Sequence, residues 1–561
     1  MTKALPDWLP RSIQTLASGY TLPTFTHDLI AGVTVGLVAL PLAMAFAIAS
    51  GLTPQAGIYC AIITGFLISA LGGSKFQIGG PTGAFVVVVA GIVAEHGIDG
   101  LFMCTMMAGV MLVILGVTGL GTAVDYIPRP VVIGFTNGIA LVIISTQLRD
   151  FLGLEVAVPG EFIGRIKTIG AHLQTASRDS VALGGATLLL LILWSRFVKR
   201  IPAYIVALFA GTAAAAALGL DVATIGSRFG GIPAGLPEFH LPQFRPDLML
   251  TLLSPAVTVA MLGAIESLLS AVVADRMGGD RHNPNTELFA QGVANIISPL
   301  FGGLPATGAL ARTATNIRSG ARTPVAGLVH AVTLVGILFF GARLASYVPL
   351  PVLAAILFLV AWNMGEWKEI AEIFKQTYAD IAVWLVTFTL TVLADLTVAV
   401  EAGMVMAALL FIRRVSRTTT VSRVTPEYIE AGRPHILQDK EIPDYVAIFR
   451  IHGPFLFGTT DKLRDISLGA DTLPPIVMLR LRNMTAIDGT GLGAIEELAE
   501  DLRKKGRTLV VCGAPSQPAG AMRKAEFHER LGDANICASV QDALARAAAI
   551  MRDRAAQAPS D

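Results

Sequence analysis

Between residues 28 and 415 the chain is a succession of apolar stretches separated by short polar connections. A helix needs about 20 apolar residues to cross a ~30 Å hydrocarbon core. The pattern predicts seven segments at 28–48, 53–71, 79–95, 100–121, 126–147, 180–198 and 202–219, and seven more at 249–274, 285–301, 304–319, 323–345, 349–364, 377–396 and 397–415. The third and tenth are short and begin at interruptions, and the last two are barely separated, as in a helical hairpin. An amphipathic stretch lies between the fifth and sixth, and Leu220 to Asp247 is a long Pro/Gly-rich loop. The fold class is therefore an α-helical polytopic membrane protein.

The two interruptions share a phrase. Gly79 to Phe85 reads G-G-P-T-G-A-F, and Gly302 to Leu310 reads G-G-L-P-A-T-G-A-L. Proline removes a backbone donor and glycine weakens helix continuity. Within a bilayer such backbone is tolerated only where protein or a wet cavity receives it. The T-G-A phrase recurs after 225 residues (82 to 307), and P-R-P-V-V at Pro128 is echoed by P-L-P-V-L after 221 (128 to 349). Two phrases at nearly one spacing indicate a duplicated unit of seven helices. An odd number of crossings inverts the second copy, and paired breaks in inverted repeats point to a transporter's substrate site.

Charge supplies the orientation. Lys75, Arg129, Arg196, Lys199, Arg200, Arg276 and Arg281 fall on connections that share a side with the N-terminus, and Arg413, Arg414 and Arg417 follow the last segment. The positive-inside rule then predicts that both ends are cytoplasmic. Of 561 residues, 53% are hydrophobic and 15% charged, and the net charge of +1 offers no electrostatic case for a nucleic-acid partner. The four cysteines lack C-x-x-C spacing, so neither a disulfide framework nor a zinc site is expected. Met1 to Thr26 lacks a signal-peptide layout, which leaves the first segment to direct insertion.

From Asp444 the pattern changes to β/α alternation, with strands expected at 445–451, 476–481 and 508–512 and a helix over 490–504. Arg413 to about Leu437 reads as a polar linker. Gly489, Gly491 and Gly493 precede the helix, but their spacing is wrong for a dinucleotide fingerprint and no βαβ unit is expected before them. No G-x-x-x-x-G-K-[S/T] loop occurs, so ATP-driven transport is not expected, and no Ser/His/Asp, Cys/His or metal-ligand cluster gathers in the tail, so neither an enzyme nor a cofactor is expected.

The candidate site follows from the breaks. A half-helix beginning at mid-membrane points unsatisfied N–H groups and a positive dipole end into the cavity, and two facing each other would hold an anion. Thr82 and Thr307 add hydroxyls, and Gly83, Ala84, Gly308 and Ala309 let a ligand approach the backbone. Kinked helices packed through small residues would carry the same phrases. Arg312, one turn into the second half-helix, is either the positive wall of the site or the partner of a carboxylate, because a cation at that depth is costly. Glu266, midway along the eighth segment, is a candidate coupling residue or a member of a fixed ion pair. Asp395 and Glu401 fall near helix ends, and His27, His96 and His330 at or near span ends; none is assigned a role.

These motifs resemble a known family. Ala39 to Tyr59 (A-L-P-L-A-M-A-F-A-I-A-S-G-L-T-P-Q-A-G-I-Y) is similar to the first two helices of the sulfate permease (SulP) anion transporters. The likeness continues through G-G-P-T-G-A-F, P-R-P-V-V-I-G-F-T-N-G, A-I-E-S-L-L-S and T-G-A-L-A-R-T-A, and M-T-A-I-D-G-T-G-L-G-A (Met484 to Ala494) resembles the core of a STAS domain. The resemblance implies fourteen segments in two inverted seven-segment repeats, divided into core and gate domains. It implies an N-terminal segment at 1–25, a transport domain at 26–416, a linker at 417–436, a STAS domain at 437–552 and a tail at 553–561.

It further implies one small inorganic anion between the starts of the third and tenth helices. Phe46 would border the anion, Ala84, Ala309 and the backbone near Ala311 would contact it, and Glu266 would match the family's coupling position. There are departures: Leu42 stands where some animal members carry Gln, and Ala311 replaces a Ser, which shifts the burden to backbone N–H groups and Arg312. In the tail, Asp488-Gly489-Thr490-Gly491 stands where the antagonists of anti-sigma factors carry D-S-S-G, so a turn capping the next helix is expected rather than a phosphorylation switch. The expected function is elevator-like, proton-coupled sulfate uptake across a bacterial-type inner membrane by a homodimer, with a cytoplasmic regulator at the STAS domain as a further partner. The alternatives are a sodium-coupled bicarbonate or proton-coupled dicarboxylate carrier, an anion channel, and a membrane-tethered STAS sensor.

Overall fold

The computed structural model describes residues 8–121, 128–198, 202–231, 235–239, 241–243, 245–394, 396–424 and 442–557. Lys199, Arg200 and Asp395, singled out above, and the later part of the expected linker lie outside them. The chain forms two compact units, one up to Ala407 and the other from Ala408 onward.

The fourteen expected segments are present, thirteen of them within the first unit and the last running across the boundary at Ala407. They are α1 (Leu22–Ala49), α2 (Pro54–Leu71), α3 and α4 (83–96 and 98–117, the two arms of Gly83–Val117), α5 (Arg129–Leu152), α6 (Arg178–Phe197) and α7 (Ala203–Leu218). The second repeat has α8 (Leu253–Gly278), α9 (Pro284–Ile297), α10 (Leu310–Arg318), α11 (Val325–Ala345), α12 (Leu350–Met364), α13 (Tyr378–Leu393) and α14 (Leu396–Thr418). Among the described residues eight helices are long and apolar enough to cross a membrane, and α7 and α13 are shorter apolar helices. The amphipathic stretch after α5 is a helix, Phe162–Ala171.

Helix starts follow the prolines. The repeated P-x-P phrases put Pro130 and Pro351 in the first turns of α5 and α12, where a missing N–H costs nothing. The third and fourth segments touch: only Gly97, at φ 70°, departs from helical geometry between them. That left-handed conformation is open to glycine and strained for other residues, so one residue makes the turn where a loop was expected.

Contacts divide the first unit into two bundles. Helices α1–α4 pack with α8–α11, and α5–α7 pack with α12 and α13. Small residues line these seams: Ala31, Ala39, Ala43, Ala45 and Ala47 of α1 and Ala61 of α2 are buried. Between apolar helices in lipid, close backbone approach supplies the packing that a hydrophobic gradient cannot.

The second unit is an α/β sheet in the order β3-β4-β5-β6-β7. Its strands are β3 (Thr420–Arg423), β4 (Val446–Phe455), β5 (Ile476–Ile487), β6 (Thr508–Cys512) and β7 (Ile536–Cys537). Strands β4 to β7 pair in parallel, and β3 adds an antiparallel edge. Side chains alternate between faces. Ala447, Phe449, Val477 and Leu479 pack with Ile495, Leu498 and Leu502 of α16 (Gly489–Lys504, the second helix of this unit after α15, Asp461–Leu468). Val446, Ile448, Met478 and Val510 pack with Ala543 and Ala547 of the last helix.

Two expectations are corrected here. Residues 420–423, read as linker, are an edge strand, because their backbone groups find the free side of β4. A β–α–β unit, β4–α15–β5, does precede the glycine run. Asp488 caps α16 as expected: its carboxylate accepts from Gly491 N at 2.8 Å and from Phe457 N at 3.1 Å. Losing an N-cap costs about 1 kcal/mol, so Asp488→Ala is expected to speed amide hydrogen exchange several-fold in the first turn of α16, measured on the full chain.

Candidate functional site

The twice-written phrase builds a joint between the repeats. Gly79–Gly80 and Thr307–Gly308 form a two-residue antiparallel ladder, β1 and β2, with Gly79 opposite Gly308 and Gly80 opposite Thr307. Pro81 cannot donate to the ladder and ends it, and α3 begins two residues later. The half-helices thus start at Gly83 and Leu310, later than the 79 and 304 read from hydropathy, because these residues spend their polar groups on pairing across the repeats.

The structure places the proposed anion contacts unequally. Thr82 occupies the N-cap of α3 in an extended conformation, yet its side chain makes no capping bond. Among the described residues the amides of Gly83 and Ala84, both buried, have no acceptor and are orphan donors of the first turn. In the second half-helix the Gly308 amide donates to Ser267 Oγ at 3.1 Å and the Ala309 amide to Ile78 O at 2.8 Å. Thr307 Oγ1 donates to Gly263 O at 3.1 Å and lies 2.6 Å from Ser267 Oγ, fully buried. The open first-turn donors of α10 are thus those of Leu310 and Ala311, which lie exposed. Phe46 is buried on α1, and its ring would stand 3.4 Å from a β-carbon on Gly83.

Arg312 is 1% exposed, and among the described residues it has no ion pair. Nη2 of the guanidinium donates to Pro81 O at 3.1 Å, which ties α10 to the start of α3; Nη1 has no hydrogen-bond partner among the described residues. A β-carbon on Gly80 would collide with that guanidinium, so Gly80 is there to let the cation approach. Gly80→Ala is accordingly expected to lose anion binding while the protein stays monodisperse, as gel filtration and binding to the purified chain would show.

Glu266 projects from α8 and is half-buried. Its carboxylate accepts from Thr82 Oγ1 at 2.8 Å and joins no ion pair among the described residues. Two other buried carboxylates behave differently. Asp28 accepts from the amides of Arg322 and Thr323 and from the Tyr20 hydroxyl, and Glu287 accepts from the amides of Gly73 and Ser74 and from Gln291. Several fixed donors hold a carboxylate in place. Those two tie loops to helices, whereas among the described residues Glu266 has one hydrogen-bond partner, the Thr82 hydroxyl.

Several residues here carry no distinguishing mark in the sequence. Ser267, adjacent to Glu266 and ordinary in a membrane helix, is the hub for Thr307 and Gly308. Ile143 of α5 and Met364 of α12 would stand 3.2 and 3.3 Å from a β-carbon on Gly83, bringing the second bundle over the start of α3. His330 lies inside α11, fully buried, and among the described residues neither ring nitrogen has a hydrogen-bond partner. Glu401, by contrast, accepts from Ser254 Oγ on an exposed surface, apart from this cluster.

Comparison with known proteins agrees with this architecture. Residues 25–387 match the sulfate permease family, and residues 438–543 match the STAS domain. The chain is 41% identical over 517 residues, 92% of its length and 96% of the relative's, to the putative sulfate transporter YvdB of Bacillus subtilis. It is 31% identical over 547 residues, 93% of its length and 94% of the relative's, to the bicarbonate transporter BicA of Picosynechococcus. The solved structure of SLC26A9 superposes with a TM-score of 0.86 at 17% identity, over 98% of this chain and 94% of that one, a likeness of fold. With two helix starts joined by a ladder between inverted repeats and the family match spanning most of both, the chain belongs to the sulfate permease family and carries a C-terminal STAS domain.

Proposed function

We propose that the protein is a secondary active transporter of a small inorganic anion, taking up sulfate with protons. The observation that carries this reading is the pairing of a buried, carboxylate-free cation, Arg312, with open amides at the start of α3. Backbone donors and a helix dipole select for negative charge, and a desolvated guanidinium strengthens the attraction. Glu266 supplies the coupling: a proton on it offsets part of the charge of an incoming anion.

Both half-helices belong to the α1–α4/α8–α11 bundle, so that bundle would carry the anion as a body against the α5–α7/α12–α13 bundle, whose Ile143 and Met364 face the start of α3. The two relatives named for sulfate and bicarbonate support an oxyanion of this size. In keeping with the charge pattern, the protein sits in the inner membrane with its STAS domain cytoplasmic, as a homodimer.

The test is uptake of labelled sulfate, bicarbonate and succinate into proteoliposomes under separate pH and sodium gradients. Sulfate accumulation driven by an inward proton gradient, unchanged by sodium, is expected. Sodium-driven bicarbonate uptake without sulfate uptake would establish the second reading, which rests on the cyanobacterial relative.

A further inference from the structure

Thr82 and Thr307 are the same residue in the two copies of the repeated phrase, yet their hydroxyls have different partners. Thr307 is fixed: its hydroxyl is sealed from solvent, donates to the carbonyl of Gly263 and is bridged by Ser267, neither of which can change protonation. Thr82 is half-buried, caps nothing in its own helix and lies 2.8 Å from Glu266 Oε2. A hydroxyl has one proton and two acceptor sites, so its direction is set by its neighbour.

We infer that Thr82 is the positioning residue that converts the protonation of Glu266 into anion affinity, by reversing its hydrogen bond. With Glu266 ionised, Thr82 donates to the carboxylate, and only hydroxyl lone pairs remain for the start of α3, where they repel an anion. When Glu266 takes a proton from water, the new carboxyl O–H donates to Thr82 Oγ1. The Thr82 hydrogen is then free to turn toward the anion beside the Gly83 and Ala84 amides. The balance is one proton gained by Glu266; no covalent bond within the protein changes. An O···O separation of 2.8 Å suits donation in either direction.

Other ionisable groups do not compete for this role. Helix α8 packs against α3/α4, α9 and α10. Of their ionisable groups, Glu95 pairs with His96 on α3, Glu287 on α9 is held by the Gly73 and Ser74 amides, and Arg312 on α10 is bonded to Pro81 O. Asp99, Cys104 and Arg318 on these helices, Glu401 of α14, bonded to Ser254 in the first turn of α8, and Asp275 and Arg276 on α8 itself join no ion pair or hydrogen bond with Glu266 among the described residues.

The inference rests on the proton-coupled reading above, and one experiment separates the two. The KM for labelled sulfate uptake, with labelled bicarbonate as second probe, is measured on full-length protein in proteoliposomes from about pH 5.5 to about pH 8. The unsubstituted protein is expected to lose affinity as pH rises, approaching ~10-fold per unit above the Glu266 titration. Thr82→Ser should keep that slope, and Thr82→Val, nearly isosteric but unable to donate or accept, should flatten it to within about twofold at the weak-affinity value. A Thr82→Val protein that keeps the slope while Glu266→Gln loses it would overturn the relay and leave proton coupling standing. A Thr82→Ser protein without the slope would also overturn the relay, and this arm holds even if the valine protein proves unstable. A slope retained in Glu266→Gln would overturn the coupling reading and the relay together.

Discussion

Glu266→Gln is expected to abolish accumulation of sulfate against its gradient while leaving facilitated equilibration in place. For one proton per turnover, one pH unit is worth about 1.4 kcal/mol, or ~10-fold accumulation. The glutamine protein should show none of it, read as the steady-state internal concentration of labelled sulfate under an imposed pH step. The substitution is mild structurally. Among the described residues Glu266 has a single hydrogen-bond partner, the Thr82 hydroxyl, and a glutamine carbonyl accepts the same bond. The fold should therefore survive, and retained pH-driven accumulation would remove Glu266 from the coupling mechanism. The same substitution at Glu287 should act differently. That side chain holds the Gly73 and Ser74 amides and Gln291, so its loss is expected to lower thermal stability.

Arg312→Ala is expected to weaken anion binding by about 10- to 100-fold, since a charge-assisted hydrogen bond contributes about 1.5–3 kcal/mol. Removing the side chain also deletes the bond to Pro81 O that ties α10 to the start of α3. Some loss of melting temperature should therefore accompany the loss of affinity. Arg312→Lys distinguishes the two effects. Lysine keeps the charge but lacks the planar fork that reaches Pro81 and leaves Nη1 available. It should recover part of the affinity and little of the stability. Sulfate affinity unchanged in Arg312→Ala, measured by equilibrium binding to purified protein, would reduce Arg312 to a tie between the repeats.

Much of this was legible in the residues, for identifiable reasons. Membrane segments announce themselves because a bilayer-spanning helix must be apolar along its whole length, and all fourteen appear within a few residues of their expected limits. The P-x-P starts of α5 and α12 were legible because proline tolerates the first turn of a helix and little else within one. Thr82, Gly83, Ala84, Thr307, Gly308, Ala309, Arg312 and Glu266 do gather in one place. What local pattern could not reveal was the pairing of the two phrases as strands. A ladder of two glycines and their partners has no hydropathy period to detect. The edge strand at 420–423 escaped for the same reason: four polar residues become a strand only because β4 offers them a free edge.

The sequence by itself determined that this is a polytopic membrane protein with inverted repeats, two broken helices and an α/β tail, since each depends on composition, periodicity or spacing along one chain. Only the tertiary structure decided which donors stay free, because a hydrogen bond spent on a distant residue leaves no trace in the local pattern. It assigned the Gly308 and Ala309 amides to Ser267 and Ile78, and it kept the Gly83 and Ala84 amides open. It also separated two threonines that the sequence presents as equivalents. One is locked to a serine and a carbonyl, and the other is given to a carboxylate that can change its charge.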